Sequence, residues 1–131
     1  MKERSIKKCL RRCKHIAAYF DQWEEVVQPI KNQNDFISDL KNKNQICYLT
    51  FLIGEEIRQM SKNIYPPIKE AYPYIDWDGW VKSRNRIAHE NFQLNWKEVY
   101  DFVTKEVGSL KRQLPHFINY IQSQIVELKD D

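Results

Sequence analysis

An arginine and a histidine separated by four residues, Arg84 and His89, are the clearest candidates for chemistry in this sequence. Arginine presents a planar guanidinium that binds two phosphate oxygens at once and stays charged at physiological pH. Histidine accepts or donates a proton near neutral pH. Asn85 and Arg86 follow the arginine and could support or bind a phosphate, although Arg86 is equally a plain surface charge. Side chains of these types are what cleavage of RNA without a metal requires.

Metal-free cleavage of RNA begins when a ribose 2′-OH attacks its own phosphate. A base removes the hydroxyl proton, an acid protonates the leaving 5′-oxygen, and a cation stabilises the charged phosphorane. His89 suits the base or the acid role, and Arg84 suits the phosphate. On an ideal helix, residues five apart lie about 140° apart around the axis, so this pair does not share a face. The site therefore needs either a helix that ends near His89 or residues from two subunits.

Four stretches of the chain have the apolar periodicity of amphipathic helices, and period-2 alternation is absent. They begin near Ile6, Ile46, Trp77 and Trp96. Short connections between long amphipathic helices favour an antiparallel bundle. The sequence therefore predicts an all-α, antiparallel up-and-down helical bundle, and its length suits a single domain over residues 1–131.

Capping and breaking residues predict where these helices begin and end. Pro29 should end or kink the first helix, and Gly108 and Pro115 should kink or break the last. The segment Lys31–Asn44 is predicted to be a connection with a short helix around Asp35–Leu40. The caps expected for the second, third and fourth helices are Asn44, Asp76 and Asn95.

The distribution of charge and the number of cysteines indicate which partners and metal sites to expect. Residues 1–14 hold seven basic side chains against Glu3, although the whole chain carries a net charge of only +3. This basic helix suits a phosphate backbone or an acidic partner protein, or else it is a solvated helix face. Three cysteines with no sign of export favour reduced, buried thiols over metal ligands, so no metal or cofactor is expected. Neither a secretory signal nor a membrane span is evident, which favours a cytoplasmic protein.

The segment from Tyr72 to Leu114 resembles the HEPN superfamily, and in particular its HepT-like toxins. The residues that carry the resemblance are Tyr72-Pro73-Tyr74-Ile75-Asp76-Trp77, Arg84-Asn85-Arg86-Ile87-Ala88-His89, Trp96-Lys97-Glu98-Val99 and Leu110-Lys111-Arg112-Gln113-Leu114. Ile53-Gly54-Glu55 is similar to the family's preceding helix, in which a glycine allows close helix contact.

This resemblance implies a homodimer that brings two Arg/His motifs together at its interface. Arg84 and His89 would then be the catalytic pair of a metal-independent endoribonuclease. The protein would be the toxin of a toxin–antitoxin pair, with RNA as its substrate and a nucleotidyltransferase as its antitoxin. HepT-like toxins commonly carry an adenylylated tyrosine two residues after the histidine. Asn91 stands there in this chain, so no modification site is expected at that position. The alternative is a non-catalytic HEPN module that binds a nucleotide or a nucleotidyltransferase partner.

The residues by themselves also allow structural roles. His89 would be favourable at a helix C-terminus because of the helix dipole, and Arg84 could pair with Glu55 or Glu56 on the surface. The tryptophans near the motif fit core or dimer packing better than base stacking; they are Trp77, Trp80 and Trp96. The tyrosines before the motif fit ligand contact; they are Tyr65, Tyr72 and Tyr74.

Overall fold

Apolar periodicity produces helices throughout the part of the chain that the computed structural model describes, residues 3–62, 64, 67–89 and 94–130. No strand occurs in these ranges, and the all-α prediction is confirmed. The helices are α1 (Glu3–Val27), α2 (Gln33–Ile37), α3 (Leu40–Ser61), α4 (Ile68–Ala71), α5 (Trp77–His89) and α6 (Trp96–Asp130).

A continuous cluster of buried apolar side chains joins these helices. The long helix α3 packs against α1 and α5, and α6 packs against α1. Phe117 of α6 meets Trp77 of α5 edge to face, with ring centroids 5.0 Å apart. This core places α3 beside the helix that carries the Arg84/His89 motif, and α3 therefore becomes part of the candidate site.

Two of the three predicted caps are confirmed. Asp76 accepts the backbone N–H of Gly79 at 3.0 Å at the start of α5, and Asn95 accepts that of Glu98 at 3.2 Å at the start of α6. The prediction of Asn44 as a cap is wrong, because α3 begins at Leu40 and is capped by Asp39. A better cap thus lies five residues upstream, and no glycine or proline between the two positions stops the helix from starting there.

Pro29 follows the end of α1 at Val27 as predicted. Of the kink or break predicted in α6, the break does not occur. Helix α6 continues from Trp96 to Asp130 through Pro115. A proline removes one helical hydrogen bond. Buried side chains on both sides of it, Leu114 and Phe117, hold the two halves against the core and offset that loss.

The cysteines are free and buried, as the sequence predicts. The thiols of Cys9 and Cys13 lie 3.6 and 3.7 Å from the sulfur of Met60. The hydrogen bond with Cys9 and burial raise the pKa of the Cys13 thiol, and burial raises that of Cys47 to about 11. Cys13 and Cys47 are therefore protonated core residues. No helix in the described ranges is long and apolar enough to cross a membrane.

For the aromatic residues near the motif, the predicted role is confirmed for the tryptophans and wrong for one of the tyrosines. Trp77 and Trp80 are buried, and Trp96 packs partly buried against the core, so core packing is confirmed. Ligand contact by Tyr72 is a wrong prediction, because its ring is buried and its hydroxyl donates to Gln113 at 3.0 Å. Tyr74 is 68% exposed, and Tyr65 lies outside the described residues.

Candidate active site

Helix α5 is fixed by its buried face and presents its polar face outward. Asp76 caps its first turn, and Trp77 and Trp80 anchor it in the core. The indole N–H of Trp77 donates to the carbonyl of Tyr72 at 2.8 Å. Because one side of the helix is held this firmly, the residues on the opposite side have a defined direction.

Arg84 is a cation held in place from three sides. Its Nε donates to Oε2 of Glu55 at 2.8 Å, and its Nη1 donates to Oδ1 of Asn85 at 3.1 Å. The guanidinium carbon lies 4.9 Å from the ring centroid of Phe51. Two of its five N–H donors thus have partners among the described residues, which leaves Nη2 to bind an anion. The sequence allowed an ion pair between Arg84 and either Glu55 or Glu56, and the pair with Glu55 is present.

Gly54 is the reason that α3 and α5 approach so closely at Arg84. A Cβ atom built on Gly54 would lie 2.5 Å from Cβ of Arg84 and 2.7 Å from the carbonyl oxygen of Trp80. Real Cβ atoms essentially never come so near to other atoms. The close helix contact expected at this glycine is confirmed, and it sets the position from which the Arg84 side chain extends.

His89 is the last residue of α5, and its side chain is exposed. It lines a shallow depression of about 440 Å³ that Asn85 and Arg86 also line. Arg84 lies outside this depression, in agreement with the helical angle, and contacts it through Asn85. The remaining lining residues are Asp78, Val81 and Lys82.

Lys82 is a candidate cation that the sequence reasoning missed. It lies three residues before Asn85 and seven before His89, a spacing that places all three on one helix face. Arg86, the other cation in the depression, donates from Nη1 to Glu98 of α6 at 3.1 Å. Asn91, where the sequence lacks the family's tyrosine, lies outside the described residues.

Residues 16–117 match the family model described as Ribonuclease HepT-like, and this range includes Arg84, His89 and the α3 residues that contact them. The chain belongs to the HepT-like family. A comparison of this HepT-like chain with solved structures found no match.

Several curated proteins are similar to this HepT-like chain. A Methanocaldococcus jannaschii protein named provisionally as an RNase is 23% identical over 91 residues, which cover 70% of this chain and 72% of that protein. A second from the same organism, named in the same way, is 24% identical over 111 residues, covering 83% and 86%. A probable ribonuclease HepT of Thermococcus cleftensis is 29% identical over 77 residues, covering 59% and 66%.

Glu55 is the electrostatic centre that holds the arginine of this HepT-like chain. Its carboxylate accepts bonds from Arg58 at 2.9 and 3.1 Å and from Gln59 at 2.9 Å, besides the one from Arg84. The bonds from Arg58, followed by those from Gln59 and Arg84, lower the pKa of Glu55 to about 2. The carboxylate therefore stays ionised at physiological pH and keeps its partners oriented.

This lowered pKa predicts how stability depends on pH. The unfolded chain binds a proton at Glu55 near its ordinary pKa, whereas the folded chain keeps it ionised down to about pH 2. Its contribution to stability is therefore complete above about pH 5 and is lost progressively as the pH falls towards 2. Urea denaturation at about pH 5 and pH 3 should show a smaller loss of unfolding free energy for Glu55→Gln than for wild type. Equal losses would contradict the ionised network.

Proposed function

We propose that this protein is the toxin of a toxin–antitoxin pair and acts as a metal-independent endoribonuclease through Arg84 and His89. The observation that carries the proposal is an arginine that Glu55 fixes and that bonds to Asn85, a residue lining the same depression as the exposed His89. Membership of a family described as ribonuclease HepT-like supports RNA as the substrate class.

The proposed reaction assigns one task to each group. Arg84 binds the scissile phosphate with its remaining N–H donors and offsets the charge of the phosphorane. His89 removes the proton of the ribose 2′-OH, whose oxygen then attacks phosphorus. The bond from phosphorus to the 5′-oxygen breaks, and that oxygen takes a proton from an acid. The products are a 2′,3′-cyclic phosphate and a 5′-hydroxyl. Asn85 and Arg86 support the phosphate.

A homodimer completes this site in the proposal. One His89 serves as the base, and a second histidine is needed as the acid. A two-fold axis beside α5 would bring the His89 side chains of both subunits together. The separation of Arg84 from the His89 depression supports this arrangement, because the arginine of one subunit can then serve the histidine of the other.

The proposed antitoxin is a nucleotidyltransferase-type partner, which the resemblance to HepT-like toxins supports. Asn91 occupies the position of the family's modified tyrosine. We therefore propose inhibition by binding rather than by adenylylation at that position. We also propose that residues 1–131 form one HEPN-like helical domain in an antiparallel up-and-down arrangement. The core to which α1, α3, α5 and α6 all contribute supports a single domain.

A second candidate function is a non-catalytic HEPN module that binds a nucleotide or the nucleotidyltransferase partner. The Arg84–Glu55 ion pair favours it, because a carboxylate at 2.8 Å already balances the charge that would attract a phosphate. Direct assay of cleavage decides between the two candidates.

Chelation is the first test of the nuclease. Because the proposed reaction uses the substrate's own 2′-OH and protein side chains, purified protein should cut single-stranded RNA at the same rate with and without EDTA. Its products should end in 2′,3′-cyclic phosphates, as detected by mass spectrometry. RNA with 2′-O-methyl riboses is the matched control and should remain intact. Cleavage of the methylated RNA, or loss of activity with EDTA, would refute the mechanism, and no cleavage of any RNA would favour the binding module.

A further inference from the structure

The outward face of α1 carries a cluster of cations separate from the candidate active site. Four of them surround an open depression of about 500 Å³ near the start of the helix, together with Glu3. The opposite face of α1 is buried in the core through Ile6, Cys9 and Cys13, so the two faces are cleanly separated. We call this cluster the α1 basic face, and its cations are Arg4, Lys7, Lys8 and Arg11.

The charges of the α1 basic face are mostly unbalanced. Lys7 pairs with Glu3 at 3.4 Å, one turn earlier on the same helix. Arg4, Lys8 and Arg11 have no carboxylate partner within the described ranges. Three cations on two turns of helix thus create a positive surface that an external anion can neutralise.

We propose that the α1 basic face binds the phosphate backbone of single-stranded RNA and holds the substrate for the Arg84/His89 centre. This inference rests on the proposed function, because it takes RNA as the ligand. Lysine is depleted in protein–protein interfaces, whose centres are apolar. The large apolar side chains that are strongly exposed in the described ranges are Leu40, Tyr48 and Tyr74, none of them on α1. A phosphate backbone needs cations without an apolar centre, and that is the composition of this face.

Contacts on α3 link the α1 basic face to the candidate active site. Arg12, one residue beyond the α1 basic face, donates to Glu56 at 3.1 Å, and His15 lies 3.1 Å from the other oxygen of that carboxylate. The preceding residue, Glu55, holds Arg84. Adjacent residues of α3 therefore contact α1 on one side and the catalytic arginine on the other, so one turn of α3 connects the helix of the basic face to Arg84.

The test is the salt dependence of RNA binding by two charge-matched variants. The first combines Arg4→Gln, Lys8→Gln and Arg11→Gln, the three cations of this face with no carboxylate partner among the described residues. The control also removes three positive charges, at exposed residues on α3 and α6: Lys41→Gln, Lys105→Gln and Arg112→Gln. The probe is a fluorescein-labelled 2′-O-methyl oligouridine, which cannot be cleaved, and anisotropy is measured between about 50 and 200 mM salt. Three lost phosphate contacts should reduce the slope of log affinity against log salt by about 2, and the control should keep the wild-type slope.

Equal weakening in both variants would refute the inference, because it would indicate a general effect of net charge. An unchanged slope in the first variant would also refute it. If that variant kept its RNA affinity but lost affinity for poly-L-glutamate, the face would bind an acidic protein instead. Cleavage of unmethylated RNA by the wild type separates this inference from the nuclease. If the protein binds RNA through α1 but does not cleave it, the nuclease proposal is refuted and the inference about α1 stands. If it cleaves RNA and the salt slope of the first variant is unchanged, the inference is refuted and the nuclease proposal stands.

Discussion

Replacing His89 with alanine should lower the rate of RNA cleavage by a factor of at least about 10² to 10⁴, because it removes both the base and the acid of the proposed dimer and either one alone contributes that range. The protein should keep its fold, because His89 is exposed at the end of α5 and its ring makes no hydrogen bond within the described ranges. The measurements are initial cleavage rates on single-stranded RNA and the midpoint of thermal unfolding. Induced expression of the wild type should arrest growth with new RNA fragments, and expression of His89→Ala should do neither.

His116 provides a matched control for this substitution. It is exposed on α6 and lies outside the motif, so His116→Ala should cleave RNA at the wild-type rate. A full rate in His89→Ala, or an equal loss in both variants, would exclude His89 as the catalytic base. Mixing the wild type one to one with His89→Ala also tests the shared site. After random exchange of subunits, about a quarter of the wild-type activity should remain if a dimer needs His89 of both subunits, and about half if each subunit acts alone.

The sequence predicts elements well where the decisive signal is local. Asp76 and Asn95 are found as caps because a side-chain acceptor three residues before an N–H suffices to start a helix. The cap predicted at Asn44 and the break allowed for at Pro115 are wrong for the opposite reason. An earlier cap at Asp39 extends α3, and core packing carries α6 through its proline. Both outcomes depend on competition with residues elsewhere, which a local pattern does not contain.

In the candidate site, too, the features set by local sequence could be predicted and those set by helix packing could not. The motif spacing and the helical angle predict that Arg84 and His89 lie on one helix but on different faces, and the structure agrees. The choice of Glu55 over Glu56 as the partner of Arg84 could not be predicted. Adjacent helical residues point about 100° apart, so the way α3 sits between α1 and α5 turns Glu55 towards Arg84 and Glu56 towards Arg12.

Gly54→Ala should lower the free energy of unfolding by about 1–3 kcal/mol, the usual cost of overpacking a well-filled site. In an open helix the same change would stabilise, since alanine is favoured over glycine by about 0.5–1 kcal/mol in a helix interior. Here the new methyl group would lie 2.7 Å from the carbonyl oxygen of Trp80. Because that atom belongs to the backbone, it cannot move without shifting α5. Urea denaturation of both proteins measures the difference.

Gly108→Ala is the matched control, because it is also a glycine-to-alanine change inside a long helix. A Cβ atom there would meet Nη1 of Arg112 at 3.2 Å, the flexible end of an exposed side chain. That end can move aside, so Gly108→Ala should raise the free energy of unfolding by up to about 1 kcal/mol. Two changes of the same type are thus expected to have opposite signs. A stabilised Gly54→Ala protein would contradict the close contact between α3 and α5.

Cleavage by Gly54→Ala separates the role of this contact in folding from its role at the site. The first atom that the new methyl group meets is Cβ of Arg84, at 2.5 Å. Relief of that clash must turn or displace the arginine away from Glu55 and Asn85. The cleavage rate of Gly54→Ala should therefore fall as far as that of Arg84→Ala, although Gly54→Ala still has its exposed His89. The rate is measured at a temperature at which Gly54→Ala remains folded. A folded Gly54→Ala protein that cleaves RNA at the wild-type rate would instead mean that catalysis does not depend on the position in which α3 holds Arg84.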